Sequence, residues 1–569
     1  MGCISSTKGW AMSGHAKPSY SHGASGATLL GETIGQNLRR VAAAHPDAEM
    51  LVDVPTGRRW TYSAFDAETD TLARGLIAAG IAAGDRVGIW APNCAEWVQL
   101  QYATAKAGII LVNINPAYRS HELGFALRQS GVRLLVSAER FKTSDYRGMI
   151  EEVRPDLPGL QDVIYLGSEQ WAALFAAGRA AAAAATGGDG TDPLAEREAG
   201  LSFDDPINIQ YTSGTTGFPK GATLSHHNIL NNGLFIGDGC GYTAADRVCI
   251  PVPFYHCFGM VLGNLACTTH GSCIVIPAPG FDPAQTLAAV QAEGCTSLYG
   301  VPTMFIAELA LPDFADYDLS TLRTGIMAGS PCPVEVMKRV VSEMNMTEVT
   351  ICYGMTETSP VSTQTTADDD MERRVSTVGR VHPHVEVKII DPETSRVLPR
   401  GTPGELCTRG YSVMLGYWDE PEKTAEAIDA ARWMHTGDLA VMDDAGYLNI
   451  VGRIKDMVIR GGENIYPREV EEFLYAHPAI EDVQVIGVPD LKYGEELCAW
   501  IRLRSGQALT AEQVRDYCQG KIAHYKIPRY VRFTGDFPMT VTGKVQKFKM
   551  RETSVTELGL EDASHTQTA

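Results

Sequence analysis

The chain has 569 residues, more than one hydrophobic core usually organises, so we expect two or more domains. Its 48 basic and 68 acidic residues give a net charge of -20, which disfavours nucleic acid as a main partner, although a local basic pocket can still hold a nucleotide. The content of hydrophobic residues, 44%, and charged residues, 20%, is ordinary for a globular α/β enzyme and excludes a fibrous or disordered chain.

The 13 cysteines show no CxxC pair and no zinc-ligand spacing, which favours reduced thiols in the cytoplasm. No apolar run is long enough to cross a membrane or to act as a signal peptide. The first six residues, Met1 to Ser6, match a myristoylation pattern with Cys3 placed for a second acyl chain. Met12 is an alternative start, so we interpret residues 1–28 as a flexible N-terminus.

Residues 29–452 alternate apolar, β-rich runs with helical patterns, which predicts a large domain of stacked α/β sheets with mainly parallel strands. The predicted elements include strands at 86–90, 109–114, 132–137 and 162–166 and a helix at 94–107. An alanine-rich stretch, residues 171–188, predicts a surface helix and loop without a chemical role.

After Gly452 the elements become shorter and predict a small α+β domain over residues 457–552. Its predicted elements are strands at 483–488, 497–503 and 530–533 and a helix at 511–522. Residues 553–569 are polar, and we expect a frayed tail there.

A run rich in glycine and hydroxyl residues, from Tyr211 to Gly221, follows strand-like residues 207–210. Its candidate phosphate-binding residues are Thr212, Ser213, Gly214, Thr215, Thr216, Gly217 and Lys220. Glycines let the backbone approach an anion, hydroxyls donate neutral hydrogen bonds, and Lys220 adds a positive charge. The spacing is not that of a Walker A sequence, so a P-loop kinase or ATPase is disfavoured.

This run resembles the phosphate-loop signature of the adenylate-forming superfamily, which includes acyl-CoA synthetases, luciferases and peptide-synthetase adenylation domains. Further motifs follow in the superfamily's order along the rest of the chain. The resemblance implies ATP, Mg²⁺ and coenzyme A as ligands, with coenzyme A a co-substrate. It also implies that the small C-terminal domain is mobile.

The next motifs imply an acyl and adenine pocket. Residues 252–260 are similar to the segment near the acyl substrate, and His256 is either a packing residue or a direct contact of substrate or ATP. Gly329, Ser330 and Pro331 resemble the adenine-side loop. The motif from Tyr353 to Thr358 implies that Tyr353 stacks on adenine, beside Gly354, Met355 and Thr356, and that Glu357, with Thr216, holds Mg²⁺.

The last motifs imply a ribose site, a hinge and a mobile lysine. Asp438, in the segment His435 to Leu439, is implied to accept hydrogen bonds from the ribose hydroxyls. Residues 453–456 resemble the hinge, in which Arg453 contacts ribose or phosphate and Lys455 is the pivot; the loop residues Gly461, Gly462 and Glu463 follow it and would pass close to the pantetheine arm. Lys544, in a Thr-Gly-Lys motif, is implied to enter the active site for adenylation.

These motifs favour an ATP-dependent acyl-CoA ligase, closest to medium- and long-chain fatty acyl-CoA synthetases. The sequence does not identify the acid substrate. Its chain length depends on how Phe254, Val301, Met327 and Met355 pack, and an aryl acid is an alternative. Two other functions also stay open, a luciferase-like or carrier-loading adenylating enzyme and a membrane-tethered scaffold. The superfamily includes monomers and dimers, so a homodimer is compatible with the sequence.

Overall fold

The computed structural model describes residues 17–186, 191–212, 219–330, 332–460, 463–540 and 544–561. Their α-helices are Ile34–Ala44, Tyr62–Ala78, Ala95–Lys106, Ser120–Ser130, Tyr146–Val153, Glu169–Thr186, Pro193–Ala199, His226–Gly239, Ala266–His270, Pro283–Glu293, Pro302–Leu309, Val334–Glu343, Met371–Ser376, Pro421–Ala427, Pro467–Tyr475, Ala511–Cys518 and Lys547–Leu558. None of the described helices is long and apolar enough to cross a membrane.

The first sheet of the large domain is parallel at its centre, as predicted, and antiparallel at one edge. Its strands, in spatial order, are Gly416–Tyr417, Lys220–Ser225, Pro206–Thr212, Ile110–Asn113, Arg86–Trp90, Leu134–Ser137 and Asp162–Tyr165. The strand Arg86–Trp90 has the predicted bounds. Helix Ala95–Lys106 follows it and is buried at every position except Glu96, as suits a crossover packed between layers.

The second sheet has the same design, with parallel strands inside and antiparallel strands at both edges. Its strands, in spatial order, are Arg380–Val381, Val361–Gln364, Glu348–Gly354, Thr324–Ala328, Ser297–Gly300, Arg247–Cys249, Cys273–Ile276, Glu49–Asp53 and Arg58–Thr61. Side-chain caps begin several of its helices; Asp282, for example, accepts a hydrogen bond from the backbone of Gln285 at the start of Pro283–Glu293. The predicted α/β body is therefore confirmed in both sheets.

A third sheet of the large domain is antiparallel throughout, which the prediction of mainly parallel strands missed. Its strands, in spatial order, are Tyr20–His22, Val385–Ile390, Gly404–Gly410, Met434–Met442 and Leu448–Arg453. The first of them lies within residues 1–28, which were predicted to be flexible. That prediction is wrong for this strand, because Tyr20 pairs with Lys388 at the sheet edge.

The strands that follow residue 457 form a separate sheet. They are, in spatial order, Glu463–Ile465, Val458–Arg460, Gly494–Leu503 and Ile480–Asp490, with Tyr530–Phe533 beside Gly494–Leu503. Helix Lys547–Leu558 packs on this sheet, and Trp500 Nε1 donates a 2.9 Å hydrogen bond to Ser554 Oγ. The expected tail from residue 553 is therefore wrong up to Leu558, because that segment is helical and Ser554 is buried. The small α+β domain is confirmed.

A buried cation links the first three described helices of the chain. Lys106 is fully buried, and its Nζ donates hydrogen bonds to Asp66 Oδ1 at 2.5 Å and Asp70 Oδ1 at 2.7 Å. Arg39 shares the same two carboxylates and also binds Glu198. Such a charge is tolerated in the interior only because its donors are satisfied.

We predict that Lys106→Met destabilises the large domain by roughly 3 kcal/mol, because the partly buried carboxylates of Asp66 and Asp70 both lose their buried cation. Urea unfolding followed by tryptophan fluorescence measures the change. The control is Lys338→Met, which removes an exposed pair with Glu335 and should change stability by less than about 0.5 kcal/mol. Equal effects of the two substitutions would contradict this account of the buried cation.

Candidate active site

The candidate site lies where several strands of the two parallel sheets end. Thr212 closes the strand Pro206–Thr212, and Lys220 opens its antiparallel neighbour. Tyr353 and Gly354 end the strand Glu348–Gly354, next to Thr324–Ala328, which leads into Gly329. Ligands of open α/β sheets bind beyond the carboxyl ends of the strands. The fold therefore brings these predicted residues to one region.

Glu357 is the buried carboxylate of the site. It lies in a short 3₁₀ turn, Thr356–Thr358, and is 6% exposed. Its Oε1 accepts a 2.9 Å hydrogen bond from the hydroxyl of Tyr417 and lies 3.5 Å from Thr212 Oγ1. Lys220 Nζ lies 4.8 Å from the centre of the Tyr417 ring, at cation–π distance. Hydrogen bonds from described residues reach Oε1 alone, which leaves Oε2 available for a cation.

Tyr417 is a site residue that the sequence analysis missed. It lies 60 positions after Glu357, in a two-residue strand, and belongs to none of the motifs that we quoted. The pairing of that strand with Lys220–Ser225 and a backbone hydrogen bond from Met414 to the Glu357 carbonyl bring it to the carboxylate. The burial beside Glu357 raises the pKa of the Tyr417 hydroxyl, which therefore stays protonated and donates.

His256 and Cys257 lie on another side of the candidate site, next to Thr356. The backbone N–H of Phe258 donates a 3.1 Å hydrogen bond to His256 Nδ1, so the ring proton is on Nε2. Burial, and secondarily the charge of Lys544, lowers the pKa of His256 to about 3, which makes the ring neutral at physiological pH. Cys257 Sγ lies 3.7 Å from Thr356 Oγ1. A buried π-helix, Phe258–Leu265, follows directly, a feature often found at functional sites.

Asp438 receives donors from two different elements. The hydroxyl of Tyr353 donates to Oδ2 at 2.8 Å, and Arg453 Nε donates to Oδ1 at 3.0 Å. Asp438 and Arg453 face each other across the antiparallel strands Met434–Met442 and Leu448–Arg453. The carboxylate beside it raises the pKa of Arg453, and burial raises that of Tyr353, so both side chains keep their protons.

Lys544 reaches this site from the C-terminal domain. It lies near Cys257 and close enough to Asp438, Glu357 and Arg453 for their charges to act on its ammonium group. Burial nevertheless lowers its pKa. The backbone around it is fixed by mutual hydrogen bonds with Thr540, at 2.7 Å and 3.0 Å. The structure thus joins Lys544 to the predicted residues of the large domain.

The predicted hinge is a turn between two sheets. Residues 454–456 connect Leu448–Arg453, in the large domain, with Val458–Arg460, in the small one. The N–H of Ile454 donates to the Gly437 carbonyl at 3.0 Å, and the N–H of Met457 donates to the Arg453 carbonyl at 2.9 Å. Lys455 is exposed in this turn.

Several predicted residues cannot be placed in the site. Ser213, Gly214, Thr215, Thr216, Gly217, Pro331, Gly461 and Gly462 lie outside the described residues. Ser330 is half-buried beside the exposed Gly329, and Glu463 begins the strand Glu463–Ile465.

Profiles of two protein families match the chain. AMP-binding enzyme matches residues 38–418, and AMP-binding enzyme C-terminal domain matches residues 469–544.

Relatives match over nearly the whole length. YngI of Bacillus subtilis, an acyl-CoA synthetase by its name, is 51% identical, with 93% of this chain and 98% of YngI covered. The mitochondrial medium-chain acyl-CoA ligase ACSF2 is 47% identical in Danio rerio, with 95% and 91% covered, and 43% identical in Homo sapiens with the same coverage.

Solved structures give the same result. The anthranilate CoA ligase AuaEII, in complex with anthranoyl-AMP, superimposes with a TM-score of 0.83 at 26% identity, covering 94% of this chain and 99% of AuaEII. ATP-bound MatB from Rhodopseudomonas palustris has a TM-score of 0.77 at 30% identity, covering 91% and 99%. With both domains matched in sequence and in fold, this chain belongs to the AMP-binding enzyme family of acyl-CoA synthetases.

Proposed function

We propose that this AMP-forming acid–thiol ligase activates a medium- or long-chain fatty acid at the site described above. In the first step a carboxylate oxygen of the acid attacks the α-phosphorus of ATP, the new P–O bond forms, and pyrophosphate leaves. In the second step the sulfur of coenzyme A attacks the acyl-adenylate carbonyl and AMP leaves. The observation that carries the proposal is Lys544, a residue of the small domain that shares one site with Glu357 and Asp438 of the large domain.

Lys544 has the role of stabilising charge in the first step. Negative charge grows on the α-phosphoryl and leaving oxygens, and a cation fixed beside them lowers the barrier without any proton transfer. His256 is neutral and has its Nε2 proton available, so it supports the proposal as a neutral donor or a wall of the pocket rather than as a base. Lys220, held over the Tyr417 ring, is placed to meet the outer phosphates.

Glu357 fits a magnesium ion that accompanies ATP. Its carboxylate is buried and donors among the described residues reach Oε1, so that Oε2 suits a metal ligand. When bound, Mg²⁺ would neutralise phosphate charge. Tyr417 and Thr212 hold Oε1 and so orient the carboxylate.

Asp438 supports ribose binding, and Tyr353 supports adenine binding. An ionised carboxylate only accepts hydrogen bonds and therefore suits a pair of hydroxyl donors. In the structure Tyr353 and Arg453 donate to its oxygens, which fixes their direction. Tyr353 is half-buried at the end of its strand, and its aromatic ring suits stacking on adenine.

We further propose that residues 453–456 form the hinge between the domains. The described arrangement, with Lys544 in the site, suits adenylation. Rotation about Lys455 would withdraw Lys544 and bring in the loop that contains Gly461, Gly462 and Glu463 for the second step.

The acid is proposed from the relatives and from the pocket. ACSF2 carries medium-chain acyl-CoA ligase in its name. Phe254 and Val301 are buried in the same apolar cluster, and the half-buried Met355 packs against it, which suits an alkyl chain. Met327, which the sequence analysis grouped with them, belongs to a different cluster on the other side of its strand. We place the enzyme in a reducing compartment, in agreement with the cytoplasm, because the described cysteines are free thiols.

The acid specificity and the ligase function are tested together by pyrophosphate release. Purified enzyme with ATP and Mg²⁺ is offered a panel of fatty and aromatic acids, each with and without coenzyme A. We expect turnover that depends on coenzyme A and is greatest with medium-chain fatty acids. Adenylation that ignores coenzyme A would favour the luciferase-like or carrier-loading alternative, and no turnover with any acid would favour a scaffold.

Lys544→Ala should slow adenylation by about 10²- to 10³-fold, the effect of losing one fixed donor to a developing charge. Pyrophosphate release measures this step. Thioester formation from a supplied acyl-adenylate should change much less. Lys549→Ala is the control, since that lysine lies exposed on the same C-terminal segment; a comparable loss in the control would contradict the assignment.

Lys455→Pro should produce the opposite pattern. Proline fixes φ and restricts the residue before it, so it stiffens the turn at residues 454–456. We expect adenylation to be retained better than thioester formation. The two half-reactions, measured separately in the same preparation, provide the control. Equal slowing of both would rule out a hinge at this position.

A further inference from the structure

A cluster of three different potential metal ligands lies on the antiparallel sheet, outside the residues that the proposed reaction uses. The carboxylate of Glu405, the thiol of Cys407 and the imidazole of His435 each offer one ligand atom, and these atoms all lie within 4.8 Å of one another. Cys407 and His435 face each other across the strands Gly404–Gly410 and Met434–Met442. A bulge between Glu405 and Cys407 shifts the register, and both side chains reach the same imidazole.

The ligand atoms converge on one side of the imidazole. Glu405 Oε2 lies 3.0 Å from His435 Nδ1, and Cys407 Sγ lies 3.7 Å from the same nitrogen. Zinc bonds to sulfur, nitrogen and oxygen are about 2.0 to 2.3 Å long, so the ligand atoms of a tetrahedral site are separated by about 3.3 to 3.8 Å. The two distances to His435 Nδ1 are therefore close to those of a zinc site. The widest separation in the cluster, at most 4.8 Å, would shorten by about 1 Å on binding.

A hydrogen bond orients one of the three ligands, and a carboxylate lies behind another. The backbone N–H of Gly437 donates to Glu405 Oε1 at 3.2 Å, which leaves Oε2 for the cluster. On the far side of the imidazole, His435 Nε2 lies 3.8 Å from Asp429 Oδ2, and the N–H of Trp433 holds the other oxygen of Asp429 at 2.9 Å. A carboxylate behind a ligating histidine is the usual support of a zinc site.

The ligand chemistry selects the ion. A thiolate and an imidazole suit zinc and other late transition metals, whereas magnesium prefers oxygen ligands alone. The cluster therefore differs in kind from the proposed magnesium position at Glu357. Without a metal, a proton shared between His435 and Glu405 holds the same pair together, and its hydrogen bond to Glu405 raises the pKa of His435. A metal would have to replace that proton.

We propose that Glu405, Cys407 and His435 form a binding site for a zinc-class divalent ion, distinct from the reaction centre. On binding, the metal–sulfur bond forms as the thiol proton of Cys407 leaves to solvent. The metal–nitrogen bond forms as the proton between His435 Nδ1 and Glu405 also leaves to solvent, and the ring keeps its proton on Nε2. Three ligands come from the protein and water takes the fourth position, because 28% of the His435 side chain is exposed. The ion would join two strands three residues before Asp438 and so rigidify the segment that carries it.

Cobalt(II) is the probe, because a cobalt–thiolate bond gives a charge-transfer absorption in the near ultraviolet. Cys3 lies outside the described residues, so every protein in the experiment also carries Cys3→Ser. We expect one Co²⁺ for each chain, the charge-transfer band, and displacement of Co²⁺ by Zn²⁺ in the absence of ATP. Cys407→Ser should abolish the band, and His435→Gln should weaken binding at least about 10-fold.

Two control variants locate the signal. Cys498→Ser changes a buried thiol of the C-terminal domain, next to Ser554, and should keep both the band and the affinity. Glu357→Gln should also keep them, which separates this site from the proposed magnesium position. Circular dichroism reports whether each variant is folded. If Cys407→Ser does not fold, Glu405→Gln, which keeps the shape of the side chain, replaces it and should weaken binding while the band stays.

The proposal is overturned if the Cys3→Ser protein shows no cobalt–thiolate band, since the cluster is then held by a proton alone. A band that survives in folded Cys407→Ser, or that disappears in Cys498→Ser, would also overturn it, because the signal would come from another thiol. These outcomes do not depend on turnover. Failure of the metal site therefore leaves the proposed ligase function untouched, and failure of the ligase function leaves the metal site to be judged by its own spectrum.

Discussion

The cross-strand pair of Asp438 and Arg453 is the interaction on which the organisation of the site depends. Two antiparallel strands place the carboxylate opposite the last residue before the turn at 454–456, and the N–H of Ile454 bonds to the carbonyl of Gly437. The proposed ribose acceptor and the proposed hinge are therefore one continuous piece of backbone. In the proposed function, a nucleotide that engages Asp438 would act directly on the point where the chain passes into the small domain.

Burial sets the protonation states of the titratable groups around that pair. His256 is neutral because its ring is buried beside a cation, and Tyr417 keeps its proton because it is buried beside Glu357. Lys544 lies close to Asp438 and Glu357, two carboxylates of the large domain, so the charge that we propose to stabilise the phosphoryl group is also attracted to the large domain. An arrangement of fixed charges and dipoles suits adenylyl transfer, which needs electrostatic stabilisation and positioning rather than acid–base catalysis.

Sequence alone predicted what depends on local pattern. The strand Arg86–Trp90 is fully apolar inside and was placed to the residue, and the motif residues Tyr353, Glu357, Asp438 and Lys544 do come together. The strand Tyr20–His22 was missed because its partner, Val385–Ile390, is far away in the chain. Helix Lys547–Leu558 was missed because its buried residues, such as Met550, are few among polar ones. Tyr417 reaches Glu357 through tertiary contacts, including strand pairing, for which no single motif gives a signal.

The central claim is that one site carries out two reactions in turn, and a single-turnover experiment tests it most directly. Enzyme in excess is mixed with ATP, Mg²⁺ and a labelled medium-chain acid, and coenzyme A is added later. The account predicts that a bound acyl-adenylate accumulates first and is then converted completely to acyl-CoA on the same enzyme molecule. Release of free acid or of free adenylate when coenzyme A arrives, with no acyl-CoA formed, would contradict it.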